Sequence, residues 1–163
     1  MKKIASRFVC AVLLLALVSC ATLHRQPNAN GTPGAPPTSL ETVNYNNAQI
    51  AIHNRAIAKA IIAVNQAGFL EPAYFDSLSA AQIKVTRIHE LLTPLLKNPT
   101  PADGPAIRAL LGQLQQITSD MVNIGNVGIK NDQSKAAALN DIRAISSLGG
   151  VILSTLVTAG VIK

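Results

Sequence analysis

The chain has 163 residues, of which 48% are hydrophobic and 13% charged, with a formal net charge of +6. That length accommodates one domain plus accessory segments. A charged share about half the usual one, with abundant Ala, Ile, Leu and Val, excludes a disordered polyelectrolyte.

The basic excess shrinks on inspection. Lys2, Lys3 and Arg7 lie in an N-terminal segment expected to be removed, which leaves 11 basic against 8 acidic residues. These charges are scattered without a run and read as a solvated surface. Aromatic residues make up 3% of the chain and do not interleave with the basic groups, so a base-stacking nucleic-acid surface is not expected.

Residues 1–20 read MKKIASRFVCAVLLLALVSC. A basic start precedes an uncharged stretch, Phe8 to Val18. Its length suits the apolar core of an export signal and falls short of a membrane span. The stretch ends in Leu17-Val18-Ser19-Cys20, which resembles the bacterial lipobox. The resemblance implies cleavage before Cys20, a diacylglycerol thioether on its sulfur and acylation, such as palmitate, on the new amino group. The protein would then be a lipoprotein of the cell envelope, held to a membrane by lipid. In a Gram-negative cell, Ala21 after the cysteine implies the periplasmic side of the outer membrane. The plainer reading is an ordinary signal peptide cleaved near Ala21. Each buried methylene contributes about 0.8 kcal/mol, so several acyl chains would make the anchor lasting. Cys10 would leave with the signal, and no intramolecular disulfide is expected.

Residues 20–39 carry the lipid-bearing cysteine and then Pro27, Pro33, Pro36, Pro37, Gly31 and Gly34. They read as a flexible tether. Asn30-Gly31-Thr32 matches a glycosylation sequon and is read as linker.

Residues 40–163 are expected to form an all-α domain, a small antiparallel bundle of about four helices. The first spans about Glu41 to Ala67. Val43, Ile50, Ile57 and Val64 recur every seven residues, with Leu40 and Ile61 on the same stripe. Asn47 and Asn54 sit at intervening positions, either buried to fix helix register or half-exposed. Gly68 is the expected stop, followed by Phe69, Tyr74 and Phe75 as an aromatic plug for one end of the core.

The second helix is expected to begin near Asp76 or Ser79, with Ser79 and Gln82 as a capping box, and to be tightened at Pro94. Leu78, Ala81, Val85, Ile88, Leu92 and Leu95 give it one apolar face. Asp103 is the expected N-cap of the third helix, whose stripe is Ile107, Leu110, Leu114, Ile117, Met121 and Ile124. Gly125, Gly128 and Asn131 mark its end.

The fourth helix begins near Asp132 or Ser134. Its residues 144–162 are 19 in number and none is charged. A helix apolar all round is buried in a bundle or in lipid. Nineteen residues span about 28 Å, close to the roughly 30 Å of a bilayer core. Ser146, Gly150, Ser154 and Thr158 form a small-residue stripe suited to close helix packing in either setting. Three glycines and five hydroxyl residues weigh against insertion. The buried-helix reading, with an oligomer covering any remaining face, is favoured.

No catalytic constellation is visible. His24, His53 and His89 lack metal-ligand spacing, and no nucleophile elbow occurs. No enzyme activity, cofactor or metal is expected. The expectation is a non-enzymatic envelope lipoprotein that binds another envelope protein or itself, without nucleic acid. The rival rests on architecture: a lipobox at Leu17–Cys20 plus a C-terminal apolar segment at Ala144–Ile162 resembles the layout of a phage unimolecular spanin, which links inner and outer membranes during lysis.

Overall fold

The computed structural model describes residues 38–163. The export signal, the lipobox residues, Cys20, His24 and most of the tether lie outside them. The described chain forms four helices: α1 (Ser39–Gln66), α2 (Pro72–Lys97), α3 (Gly104–Gly128) and α4 (Asp132–Thr158). Each packs on its two neighbours in a closed ring, and α1 with α4 form the most extensive pair. The all-α, four-helix bundle read from the periodicity is the observed fold.

α1 starts earlier than its apolar stripe. Thr38 accepts from the Glu41 N–H at 3.2 Å while the Glu41 carboxylate accepts from the Thr38 N–H at 2.7 Å. This capping box satisfies two otherwise free donors, and Thr38 and Ser39 belong to the bundle rather than the tether. Val43, Ile50, Ile57, Ile61 and Val64 are buried as the seven-residue repeat predicts. Leu40 does not join them; it is more than one-third exposed.

Gly68 ends α1 with φ +71°. The Phe69 N–H bonds to the Val64 carbonyl and the Gly68 N–H to the Asn65 carbonyl, the paired bonds of a Schellman motif. The same pair recurs at the end of α4, where Gly160 has φ +74° and the Val161 and Gly160 N–H groups bond to Leu156 and Val157. The uncharged stretch is therefore not one continuous helix. It stops at Thr158 and turns back, which buries Ile162. Val161 then passes so close to Gly104 that a Cβ there would lie 2.5 Å from the Val161 carbonyl oxygen. Arg108 donates to the Lys163 carbonyl on the same side.

Several boundaries differ from the sequence reading. α2 begins at Pro72, since proline needs no N–H partner in a first turn. Ser79 is thus inside the helix, and Gln82 donates to Thr86 instead of closing a capping box. The helix continues through Pro94 to Lys97. Asp103 stands at the N-cap position of α3, as expected, but its side chain makes no cap bond; its carboxylate accepts instead from the Thr100 N–H and hydroxyl at 2.9 and 2.7 Å. Asn131 does not close α3 but caps α4, accepting from the Ser134 N–H at 2.9 Å.

The buried stripe of α3 is Gly104, Ile107, Leu111, Leu114, Thr118, Met121, Gly125 and Gly128. Leu110, Ile117 and Ile124 flank it, half-buried. The centre is rotated because small residues permit close approach. A Cβ on Gly125 would sit 3.0 Å from the Leu139 side chain, and one on Gly128 would sit 2.6 Å from Tyr74. Gly125 is a packing position inside the helix, whereas Gly128 is its last residue, as expected, and packs closely as well. Tyr74 and Phe75 pack on this end of the core, whereas Phe69 is 40% exposed. Leu70 and Ile129 plug the end instead, joined by a two-residue antiparallel bridge.

Gly128→Ala should lower unfolding stability in urea by about 1–3 kcal/mol through overpacking against Tyr74. Gly112→Ala, whose Cβ meets nothing within 4 Å, should raise it by about 0.5–1 kcal/mol. A Gly128→Ala protein as stable as its parent would remove the close-packing account.

Candidate functional site

The interior is apolar except along α1. Asn46, Asn47 and Asn54 are buried, as is Thr118 of α3. Thr118 returns its hydroxyl to the Leu114 carbonyl at 2.9 Å. Asn47 and Asn54 face α2. The Asn47 amide donates to the Thr93 hydroxyl at 3.0 Å, and the Asn54 amide to the Thr86 hydroxyl at 2.8 Å. Both pairs advance seven residues on each helix in opposite directions, so they fix the antiparallel register. The buried reading of these two asparagines is the observed one. Both threonines return their own hydroxyl protons to the preceding turn, on the His89 and Gln82 carbonyls. Neither can then donate to an asparagine, and the Oδ1 atoms of Asn47 and Asn54 are buried without a partner. Each such acceptor costs about 1–3 kcal/mol.

Where this seam reaches the surface it opens into a groove of about 550 Å³. Asn44 of α1 faces His89, Glu90, Thr93, Pro94 and Lys97 of α2 across it. Pro94 has no N–H, so the Glu90 carbonyl lacks its helical donor four residues on. Burial holds the His89 imidazole below its ordinary pKa; the Asn47 backbone and Glu90 oppose that shift, and Arg55 adds to it. His89 lines the groove with its imidazole partly buried, which makes it a candidate site residue.

His53 lies on the other flank of α1. Its Nδ1 is 2.8 Å from an Asp141 carboxylate oxygen of α4, and both side chains are mostly buried. The pair ties α1 to α4. Among the described residues, no three His, Cys, Asp or Glu side chains gather as a metal site.

The small-residue stripe is dispersed. Ser146 and Gly150 are half-buried, while Ser154 and Thr158 face solvent. The α4 packing surface is Ile145, Gly149, Ile152 and Leu156. Gly149, not Gly150, is the close approach: a Cβ there would lie 3.4 Å from Leu114. Ser154, Thr155 and Thr158 return their hydroxyls to carbonyls of their own helix. Among the described residues, α4 is the one helix long and apolar enough to cross a membrane. In this bundle, its outward side is Ser147, Val151, Ser154, Val157 and Thr158.

Sequence reasoning missed the groove. Its one signal was Pro94, read only for its effect on the helix and not for the carbonyl it frees. No protein-family model matches the chain, and neither curated proteins nor solved structures show a match to it.

His89 supplies a pH test. Its folded pKa lies below the ordinary 6.5. Protonation therefore favours the unfolded chain, and stability present above that value falls as pH drops through it toward the folded pKa. His89→Gln should flatten this loss in thermal unfolding followed from pH 7.5 to about 5. An unchanged slope would show that His89 is not held neutral by burial.

Proposed function

We propose that the protein is a membrane-tethered lipoprotein of the bacterial envelope, whose four-helix bundle serves as a binding domain without catalytic chemistry. The observation that carries this reading is Leu17-Val18-Ser19-Cys20 at the close of a basic-then-apolar segment. A Pro- and Gly-rich stretch then leads to the capping box at Thr38. From Cys20 to Thr38 the chain can reach at most about 60 Å. That reach lets the bundle meet partners well clear of the lipid surface.

Two features favour the tethered bundle over a link between membranes. An even number of antiparallel helices places Thr38 and Lys163 at the same end. In addition, the uncharged stretch stops being helical at Thr158 and turns back, which buries Ile162 in the bundle. What supports the binding role is the groove between α1 and α2, together with the buried, partnerless amide oxygens of the seam. Natural cores keep few such groups. An imidazole that spends one nitrogen on Asp141 suits a structural tie between helices better than proton transfer.

Metabolic labelling with radioactive palmitate should mark the full chain and fail on Cys20→Ala, which should also retain the uncleaved signal. Label that survives the substitution would contradict the anchor.

A further inference from the structure

We propose that the groove between α1 and α2 binds short zwitterionic peptides of about three residues, with Lys97 taking the carboxylate and Glu90 the amine. The inference rests on the bundle being a binding domain, but not on lipid at Cys20.

Glu90 and Lys97 line one groove, and among the described residues neither has an ion-pair partner. The exposed ion pairs of this protein lie elsewhere, Lys130 with Glu71 and Lys135 with Asp132. Seven residues separate the two charges, which is about 10.5 Å along a helix. Opposite charges at that spacing are too far apart to pair directly, yet both line the same groove. An extended tripeptide spans about 10 Å between its amine and its carboxylate. A single amino acid is too short to reach both.

The surface between the charges is shallow and mostly apolar, with a few polar groups for a peptide backbone. The Asn44 amide both donates and accepts, the Thr93 hydroxyl accepts, and the Glu90 carbonyl freed by Pro94 accepts. A neutral His89 carries one donor and one acceptor and adds no third charge. The Pro94 ring and the Lys97 methylenes give an apolar floor. A volume of about 550 Å³ falls within the range of small-ligand sites.

The test uses the full chain, purified and isotope-labelled, titrated with triglycine and followed by NMR. Triglycine should shift the Asn44, His89 and Thr93 signals saturably. N-acetyl-triglycine and triglycine amide should each bind about fivefold more weakly, and glycine more weakly still. Lys97→Met should weaken triglycine about fivefold and leave the amide unaffected. Glu90→Gln should do the same for triglycine and leave the N-acetyl form unaffected. Both side chains are exposed, so neither change threatens the fold. No saturable shift, or blocked peptides that bind as tightly as the zwitterion, would overturn the proposal. Either result leaves palmitate labelling at Cys20 unaltered, so the two readings fail separately.

Discussion

The bundle depends on the seat of α4 between α1 and α3. Ile145, Ile152 and Leu156 supply its buried side, and Gly149 lets the helix approach Leu111 and Leu114. Burying each such branched side chain contributes about 1.5–3 kcal/mol, while Val151 and Val157 remain exposed on the outward side. His53 and Asp141 align the pair at mid-length. Beyond Thr158 the left-handed glycine turns the chain, and Ile162 closes the end of the core against Gly104. Remove α4 from the ring, and α1 and α3 each lose one of their two neighbours.

The two flanks of α1 follow opposite physical rules. Toward α4 it packs most extensively and is apolar apart from the His53–Asp141 pair. Toward α2 it spends buried volume on asparagines, each with a partnerless oxygen. An apolar seam would be more stable, but it would also accept neighbouring registers. The two Asn–Thr bonds select one pairing, and a slip would leave further amide groups bare. Selecting the register this way costs stability, and the cost falls beside the groove where His89 is held neutral. The helix register and the proposed binding groove thus share one polar seam.

Most of the fold was legible because its signals are local and periodic. The seven-residue repeat of α1 and the glycine stop at Gly68 required no knowledge of neighbours. Gly160 obeys the same chemistry as Gly68: Ala159-Gly160-Val161 repeats the small-Gly-apolar order of Ala67-Gly68-Phe69. It was hidden inside an uncharged stretch whose overall hydropathy suggested continuity. The stripe of α3 was right at Ile107, Leu114 and Met121 and off by one position at Leu110, Ile117 and Ile124, for a different reason. Leu110, Ile117 and Ile124 are the more hydrophobic choice, but Gly125 and Gly128 matter through Leu139 and Tyr74, which are distant in sequence. The groove was illegible for the same reason, since Asn44 and Lys97 meet only when the helices pair.

The central claim is that the uncharged half of α4 belongs to a water-facing bundle rather than to lipid. Cysteines placed singly at Ser147 and Ser154, on its outward side, test this in membrane vesicles of both orientations. A membrane-impermeant maleimide should modify both, well above the parent chain. Cysteines that stay unmodified in intact membranes and react only after detergent would place this helix in the bilayer and contradict the account.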